Sequence, residues 1–172
     1  MVMTLVFDTK SGSSILSDRT KMKKFILLDF DGVMIPSKPW KPVPLMEDGF
    51  YKFDDRAISN LNRIIDETGA TIILTTSHKT SYPNSEWKKL FETRGINCEV
   101  RRLDYKHIHS NRVEEIQGWV ETNSDRFVIL DDDKSLNDLE SDIKSKLVLT
   151  DSGVGLNLEK TELAIKILNN EI

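Results

Sequence analysis

Residues 25–34 read FILLDFDGVM, and this stretch decides how the rest of the chain is interpreted. Four apolar residues run without a polar interruption into Asp29, and Asp31 follows two positions later. Continuous apolar character predicts a parallel strand that is covered on both faces, because a half-exposed strand would alternate apolar and polar residues. Open α/β sheets bind their ligands at the carboxyl ends of such strands. The two carboxylates therefore stand where a ligand is expected.

The pair formed by Asp29 and Asp31 has two interpretations. Neighbouring carboxylates are costly in free energy unless a positive charge compensates them, and the usual compensating group is a metal ion. The alternative is an ordinary Asp-Gly turn that ends a strand, with Asp31 capping a loop. The residues at the other strand ends distinguish a metal-binding acid pair from an ordinary turn.

Composition narrows the class of protein. The 172 residues suit one domain, and a hydrophobic content of 38% is sufficient for a single core. The formal net charge of -4 gives no overall basic field of the kind that indicates nucleic-acid binding, although a local basic patch is compatible with it. Cys98 is the single cysteine, which excludes an internal disulfide and is typical of a reducing compartment. No positively charged neighbour activates its thiol, so we expect it to pack in a strand.

The N-terminal residues and the absence of long apolar runs indicate where the protein works. No stretch approaches the roughly 20 apolar residues of a membrane span, and the N-terminus lacks the order of a signal peptide. We therefore expect a cytoplasmic protein without membrane contact. Residues 1–21 are predicted to form a flexible arm, in which residues 5–7 are a candidate short strand, and residues 22–172 to form one domain.

A proline-rich segment follows the two acids. Residues 34–53 carry four of the five prolines, and proline fixes φ and removes a backbone donor, so an extended flap without a helix is predicted. Trp40, Phe50, Tyr51 and Phe53 either line a substrate entrance or anchor the flap to the core, and we favour the second interpretation.

The rest of the chain alternates apolar strands with amphipathic helices. Strands are predicted at residues 25–28, 72–74, 96–100, 126–130 and 147–149, and helices at residues 54–69, 84–93, 112–121 and 158–168. This alternation predicts a Rossmann-like α/β three-layer sandwich, with a central parallel sheet of about five strands and helices on both faces.

Polar groups follow three of these strands. Asp29 and Asp31 follow the first strand, a hydroxyl-rich stretch ending in Lys79 follows the second, and residues 131–133, all aspartates, follow the fourth. Hydroxyls with a nearby cation suit a phosphate group. Because all carboxyl ends of a parallel sheet meet at one edge, these groups should converge. Their convergence favours a functional site over an ordinary turn.

These motifs resemble those of the haloacid dehalogenase (HAD) superfamily, whose phosphohydrolases use an aspartate nucleophile. The sequence DFDGV that starts at Asp29 is similar to the first motif, residues 75–77 to the second, and the acid pair at residues 131 and 132 to the fourth. The resemblance covers about residues 22–170 and looks closest to compact members with a minimal cap (C0-like), some of them linked to RNA repair. It implies a Mg²⁺-dependent phosphatase that hydrolyses a phosphomonoester through an aspartyl-phosphate intermediate.

The resemblance also implies roles for the acids. Asp29 would be the nucleophile, and Asp31 the general acid that protonates the leaving oxygen and then activates water. Mg²⁺ would be held by Asp29, the backbone carbonyl of Asp31 and Asp132. Asp131 would act through a water molecule, or exchange roles with Asp132.

Phosphate contacts are implied for the second and third motifs. Thr76 would hold a phosphoryl oxygen by its hydroxyl and backbone N–H, and Thr75 or Ser77 would take this place if the register is shifted by one residue. The third motif of the superfamily is a Lys or an Arg. Lys106 is our preferred candidate by a narrow margin, and Arg112, at the start of the next predicted helix, is the alternative. The three histidines are not required by this mechanism.

The expected substrate is phosphorylated and is either a small molecule or a nucleic-acid end. Neither usual insertion point has room for a cap domain, and open sites in the superfamily often serve large substrates. The leading alternative is a non-catalytic HAD-fold binding or regulatory module, but the intact Asp29 and Asp31 argue against it. Asp31 also disfavours dehalogenation, and the early position of the Asp-Gly pair disfavours a receiver-like phosphate acceptor. The oligomeric state has no signature in the sequence.

Overall fold

The computed structural model describes residues 22–108 and 111–172. The predicted N-terminal arm and its candidate strand lie outside the described residues. Five strands form one sheet: β1 (Lys24–Leu28), β2 (Thr71–Leu74), β3 (Val100–Arg102), β4 (Arg126–Asp131) and β5 (Leu147–Leu149). All four pairings are parallel, and the strand order is β3-β2-β1-β4-β5. The predicted Rossmann-like parallel sheet is confirmed, with β1 at its centre.

Helices follow the strands in the described part of the chain. They are α1 (Asp55–Thr68), α2 (Asn84–Thr93), α3 (Arg112–Glu121), the short α4 (Ser141–Lys144) and α5 (Leu158–Asn169). Asp54 caps α1 by accepting hydrogen bonds from two backbone N–H groups, and Gly69 ends the helix in the left-handed conformation. No helix among the described residues is long and apolar enough to cross a membrane.

Alternate residues of β1 pack into two separate cores. Ile26 and Leu28 belong to the larger core, which includes residues of α1, α2 and α5. Phe25 and Leu27 belong to the second core, which includes Ile116 and Trp119 of α3. Successive side chains of a strand point to opposite faces, so a strand buried on both sides needs apolar residues at every position. The sheet is therefore the middle layer of a three-layer sandwich.

The third strand differs from its prediction. Pairing with β2 begins at Val100, opposite Ile72, rather than at Ile96. Ile96 is buried, but its backbone N–H bonds to Phe91 at the end of α2, after Gly95 has turned the chain with a positive φ. Its apolar side chain therefore closes the end of the helix. Cys98 lies before the strand, half-buried against the larger core, where burial raises the pKa of its thiol to about 12.

The flap, residues 34–53, contains no helix, and the structure describes all of it. Phe50 and Phe53 are buried in the larger core, whereas Trp40 is 83% exposed. Arg94 of the α2 end pairs with Asp48 and donates to the carbonyl oxygens of Phe50 and Tyr51. The hydrogen bond from Arg94 lowers the pKa of Asp48 to about 2. The end of the flap is thus anchored by Phe50, Phe53 and the contacts of Arg94, whereas Trp40 makes no ring contact with another described residue.

Candidate active site

The sheet register brings three polar residues side by side. Leu28 pairs with Leu74 and Leu130 on the two neighbouring strands, so the residues that follow, Asp29, Thr75 and Asp131, lie next to each other. The backbone N–H of Asp29 donates to the carbonyl oxygen of Leu130 at 3.0 Å, and that of Thr75 donates to Leu28 at 3.0 Å. All three side chains are buried. The convergence expected from a parallel sheet is present in the structure.

Three carboxylates, those of Asp29, Asp131 and Asp132, form one group at this edge. We call this group the acid cluster. Asp29, Asp131 and Asp132 each offer an oxygen atom, and these atoms all lie within 4.8 Å of one another. Carboxylate oxygens are the hard ligands that Mg²⁺ prefers, and oxygens at such separations can surround a single ion. The donor set therefore fits the divalent ion that the sequence predicts.

Gly32 makes room for Asp132. Its φ is +70°, and a Cβ atom at this position would overlap the carboxylate of Asp132. The carbonyl oxygen of Gly32 accepts a hydrogen bond of 2.8 Å from the Thr150 hydroxyl, which fixes the turn against the end of β5. A side chain at position 32 would displace the acid, so the glycine of the Asp-Gly pair is required by the geometry of the acid cluster.

Arg112, the first residue of α3, contacts all three strand ends. Its Nη1 atom lies 2.6 Å from Oδ2 of Asp131 and 3.4 Å from the hydroxyl oxygen of Thr75, and its Nη2 atom lies 3.4 Å from Oδ1 of Asp29. The guanidinium is planar and carries donors on several nitrogen atoms, so it contacts acids on two strands with a separate nitrogen for each. Arg112 therefore holds the acids of β1 and β4 in one arrangement.

Lys106, the preferred third-motif cation, lies elsewhere. It is exposed in a short 3-10 helix and lines a polar cavity with Arg101 and Asn84. The structure brings the alternative, Arg112, to the acids and leaves Lys106 away from them. The physical reason is that Arg112 begins a helix that packs on the sheet over the strand ends, whereas Lys106 lies on the exposed connection before it.

A second ion pair is buried behind Arg112. Nζ of Lys79 lies 3.0 Å from Oε1 of Glu115, and the other oxygen of Glu115 lies 3.7 Å from Nε of Arg112. Lys79 Nζ also lies 3.4 Å from the carbonyl oxygen of Thr76 and 3.5 Å from that of Thr75. The cation that the sequence places in a phosphate cradle is therefore directed to Glu115. Sequence reasoning missed Glu115, because its polar character is ordinary for a helix.

The hydroxyl residues after β2 have different surroundings. The hydroxyl of Thr76 accepts a hydrogen bond of 3.4 Å from the backbone N–H of His78 and caps a 3-10 helix, Ser77–Thr80. Thr76 is buried, Ser77 is exposed, and Thr75 is buried against Arg112. All three lie in one loop at the carboxyl edge of the sheet. Their contacts with phosphate stay a prediction.

Asp31 is exposed, in contrast to Asp29. Its side chain is 62% exposed, and Oδ2 lies 3.5 Å from Nε2 of His78. The His78 ring is stacked near the ring of Phe30. It also meets the ring of Tyr51 edge-on, with the two ring centroids 6.0 Å apart. Asp29 is thus buried in the acid cluster. Asp31 faces solvent next to the rings of His78 and Tyr51, which we call the aromatic rim. The sequence alone assigned no role to His78.

The acid cluster is short of positive charge. Burial raises the pKa of Asp29 and the pKa of Asp132, and it raises the pKa of Asp131 to about 7. Arg112 opposes the shifts in the pKa of Asp29 and Asp131, but the neighbouring carboxylates add to them. One guanidinium does not balance three carboxylates. A divalent cation bound between them would supply the missing charge.

A parallel α/β sheet with an Asp-x-Asp-Gly turn after its central strand and an acid pair after the neighbouring strand defines a member of the HAD superfamily. The chain belongs to the family described as the HAD domain in Swiss Army Knife RNA repair proteins, whose model matches residues 25–161. No match was found among curated proteins or among solved structures. The resemblance to the superfamily is confirmed, and membership supports a hydrolase of the phosphohydrolase type.

Proposed function

We propose that the protein is a Mg²⁺-dependent phosphatase that removes a terminal phosphomonoester from an RNA strand. The convergence of Asp29, Asp31, Asp131 and Asp132 with Arg112 at one sheet edge carries the phosphatase part of this proposal. The RNA substrate is supported by the family description, which names RNA repair proteins. The exposure of Asp31 supports a site that a long strand can reach.

Asp29 acts as the nucleophile in this proposal. A carboxylate oxygen of Asp29 attacks phosphorus, the bond from phosphorus to the RNA oxygen breaks, and an aspartyl-phosphate forms. Water then attacks this intermediate, which releases inorganic phosphate and restores the carboxylate. Arg112 and the backbone hydrogen bond to Leu130 fix the position of Asp29, and a fixed position lowers the entropic part of the barrier.

Asp31 carries the protons. Its exposed carboxyl group donates a proton to the leaving RNA oxygen in the first step and accepts one from the attacking water in the second. Asp31 is exposed whereas Asp29 is buried, which explains how two acids two residues apart take different roles. His78 lies beside Asp31 and holds the Asp31 side chain near the ring of Tyr51.

Charge neutralisation completes the site. Asp29, Asp131 and Asp132 would hold Mg²⁺, with the carbonyl group of Asp31 as a further ligand, and the ion supplies positive charge to the phosphoryl oxygens when bound. We assign the phosphate contact of the second motif to the loop of Thr76 and Ser77, with the exposed Ser77 hydroxyl as its accessible donor.

Phosphate release tests the proposal. RNA oligonucleotides with a 3'- or a 5'-terminal phosphate, nucleotides and sugar phosphates are compared with Mg²⁺ and with EDTA. We expect release from one RNA end, dependence on Mg²⁺, and loss of release in Asp29→Asn. Asp66→Asn, which changes an exposed acid of α1, is the matched control.

Two outcomes would redirect the proposal. Release from sugar phosphates but not from RNA would contradict the substrate. Binding of phosphorylated RNA without release from any substrate would indicate the alternative, a HAD-fold binding module.

A further inference from the structure

We propose that Lys38, Trp40 and Lys41 form a platform on the flap that binds the single-stranded RNA next to its terminal phosphate. This inference rests on the RNA substrate of the proposed function and adds a binding surface outside the acid cluster. We call these three residues the flap platform.

Trp40 is an exposed aromatic side chain that makes no ring contact with another described residue. It is 83% exposed, whereas the other two tryptophans, Trp87 and Trp119, are buried at 0% and 5% exposure. The buried aromatic residues of the flap, Phe50 and Phe53, already anchor it to the core. An exposed indole presents a π face on which any unpaired base can stack. Trp40 is therefore available for a ligand with flat rings.

Two lysines lie on the same turn as Trp40, one on each side of it in the sequence. The backbone N–H of Lys41 donates to the carbonyl oxygen of Lys38 at 2.9 Å, so residues 38–41 form a tight turn with Pro39 at its second position. Both lysines are exposed, and neither forms an ion pair with a described residue, whereas Lys52 at the base of the flap is paired with Asp55. Unpaired positive charges beside an aromatic ring match a phosphate backbone with stacking bases.

A cavity adjoins the two lysines of the platform. Its lining combines Lys38 and Lys41 with three prolines and Val43, and it also includes Lys52, Asp54 and Asp55. Prolines restrict the backbone before binding, so less conformational entropy is lost when a strand is bound. Both acids already have partners, because Asp54 caps α1 and Asp55 pairs with Lys52. The two lysines without an ion pair therefore give this partly apolar cavity a positive charge, which suits a base and its attached phosphate.

The platform is connected to the acid cluster. Ile35 pairs with Asp31 in an isolated bridge, and the backbone N–H of Ser37 donates to the carbonyl oxygen of Ser152 at 2.7 Å. The flap therefore leaves the site along a fixed path. Lys38 lies seven positions after Asp31, which limits their separation to roughly 25 Å. A short single strand can span that distance with its end at Asp31.

Fluorescence tests binding without turnover. The Asp29→Asn protein is titrated with a single-stranded oligouridylate of about ten nucleotides with hydroxyl ends. We expect quenching of tryptophan emission, because Trp40 is exposed and the other two tryptophans are buried. In the Asp29→Asn background, Trp40→Ala should abolish the quenching and raise Kd, measured by anisotropy of labelled RNA, about fivefold or more. Replacing Lys38 and Lys41 with Ala together should weaken binding and flatten its dependence on salt.

The control variant is Lys166→Ala, which removes an exposed lysine of α5. It should bind the oligouridylate as the Asp29→Asn parent does. Equal Kd values for the parent, the Trp40→Ala and the double lysine variants would overturn the inference. Equal binding of a polyglutamate of similar length would overturn it as well, because charge alone would then explain the contact.

Turnover separates this inference from the proposed function. In the active protein, Trp40→Ala should lower the ratio of kcat/KM on phosphorylated RNA to kcat/KM on p-nitrophenyl phosphate about fivefold. An unchanged ratio, with phosphate still released from RNA, would refute the platform and leave the phosphatase intact. RNA binding that depends on Trp40 in a protein that releases no phosphate would refute the phosphatase and support the platform.

Discussion

At the scale of single residues, the site depends on one guanidinium and one glycine. Arg112 links the acids of two strands, and Gly32 makes room for Asp132. The sequence identified the acids because their spacing at strand ends is distinctive. It favoured Lys106 narrowly over Arg112, because both lie in the same basic and polar run, residues 101–112, and only the packing of α3 shows which one lies over the sheet.

Removing Arg112 should disable catalysis. Arg112→Ala should lower kcat on the phosphorylated RNA substrate about 100-fold or more, because a positioned donor at the reacting charge is lost. Arg112→Lys should recover little, because one ammonium nitrogen replaces the two guanidinium nitrogens that contact Asp131 and Asp29. Lys106→Ala is the matched comparison and should change kcat by less than about twofold. A larger loss in Lys106→Ala than in Arg112→Ala would assign the third motif to Lys106.

A methyl group at position 32 should disturb the metal site. Gly32→Ala is expected to weaken Mg²⁺ binding and to lower the free energy of unfolding by more than the roughly 1–2 kcal/mol of the left-handed conformation alone. Gly69→Ala has the same sign of φ with open space around it, so it isolates the backbone contribution. Calorimetric Mg²⁺ titration and urea unfolding measure both effects. Equal losses of stability, with unchanged Mg²⁺ affinity, would show that position 32 does not limit the acid cluster.

At the scale of elements, buried charges join β2 to α3. Lys79 follows β2, Glu115 lies in the first turns of α3, and their pair supports Arg112 from behind. The predicted bounds of α2 and β5 agree with the structure, because caps, turns and apolar periodicity act locally. β3 was misplaced, because an apolar residue that closes a helix end resembles the start of a strand. Glu115 could not be predicted, since burial of a helical glutamate depends on tertiary packing.

Breaking one side of this pair should be worse than removing both. Glu115→Leu leaves the Lys79 ammonium buried without its charge partner, and breaking a buried pair typically costs about 3–5 kcal/mol. The double variant Lys79→Met/Glu115→Leu leaves no unpaired charge and should lose less stability than the sum of the single variants. Urea unfolding of the four proteins in a double-mutant cycle measures the coupling. Additive losses would show that the two side chains do not interact.

At the scale of the whole molecule, three layers deliver distant residues to one edge. Asp29, Thr75 and Asp131 come from three strands, and their adjacency follows from parallel register alone. The sheet could therefore be predicted from the pattern of strands and helices, and the acid cluster from the sheet. The contacts of the flap could not, because proline-rich loops carry no periodicity. Asp48, which anchors the flap to Arg94, gave no signal in the sequence.

The acid cluster should make stability depend on pH and on Mg²⁺. Burial raises the pKa of Asp131 to about 7 in the folded protein, above its unfolded value, so its stabilising contribution is present below about pH 4 and is lost as pH rises through about 7. Mg²⁺ binds the deprotonated acids, so it should raise Tm more at about pH 8 than at about pH 5.5. Thermal unfolding with EDTA or excess Mg²⁺ measures this. The Asp132→Asn variant should lose most of the shift, and an equal shift at both pH values would contradict the metal site.

Trapping the covalent intermediate tests whether Asp29 is the nucleophile. The protein is mixed with its phosphorylated RNA substrate and Mg²⁺, quenched in acid within the first turnovers, and digested for mass spectrometry. We expect a phosphoryl group on the peptide that contains Asp29, localised to that carboxylate. We expect no phosphoryl group on the corresponding peptide of the Asp29→Asn protein. The Asp66→Asn control should retain the phosphoryl group. Phosphate release that continues in Asp29→Asn, or a phosphoryl group on another side chain, would show that Asp29 is not the nucleophile.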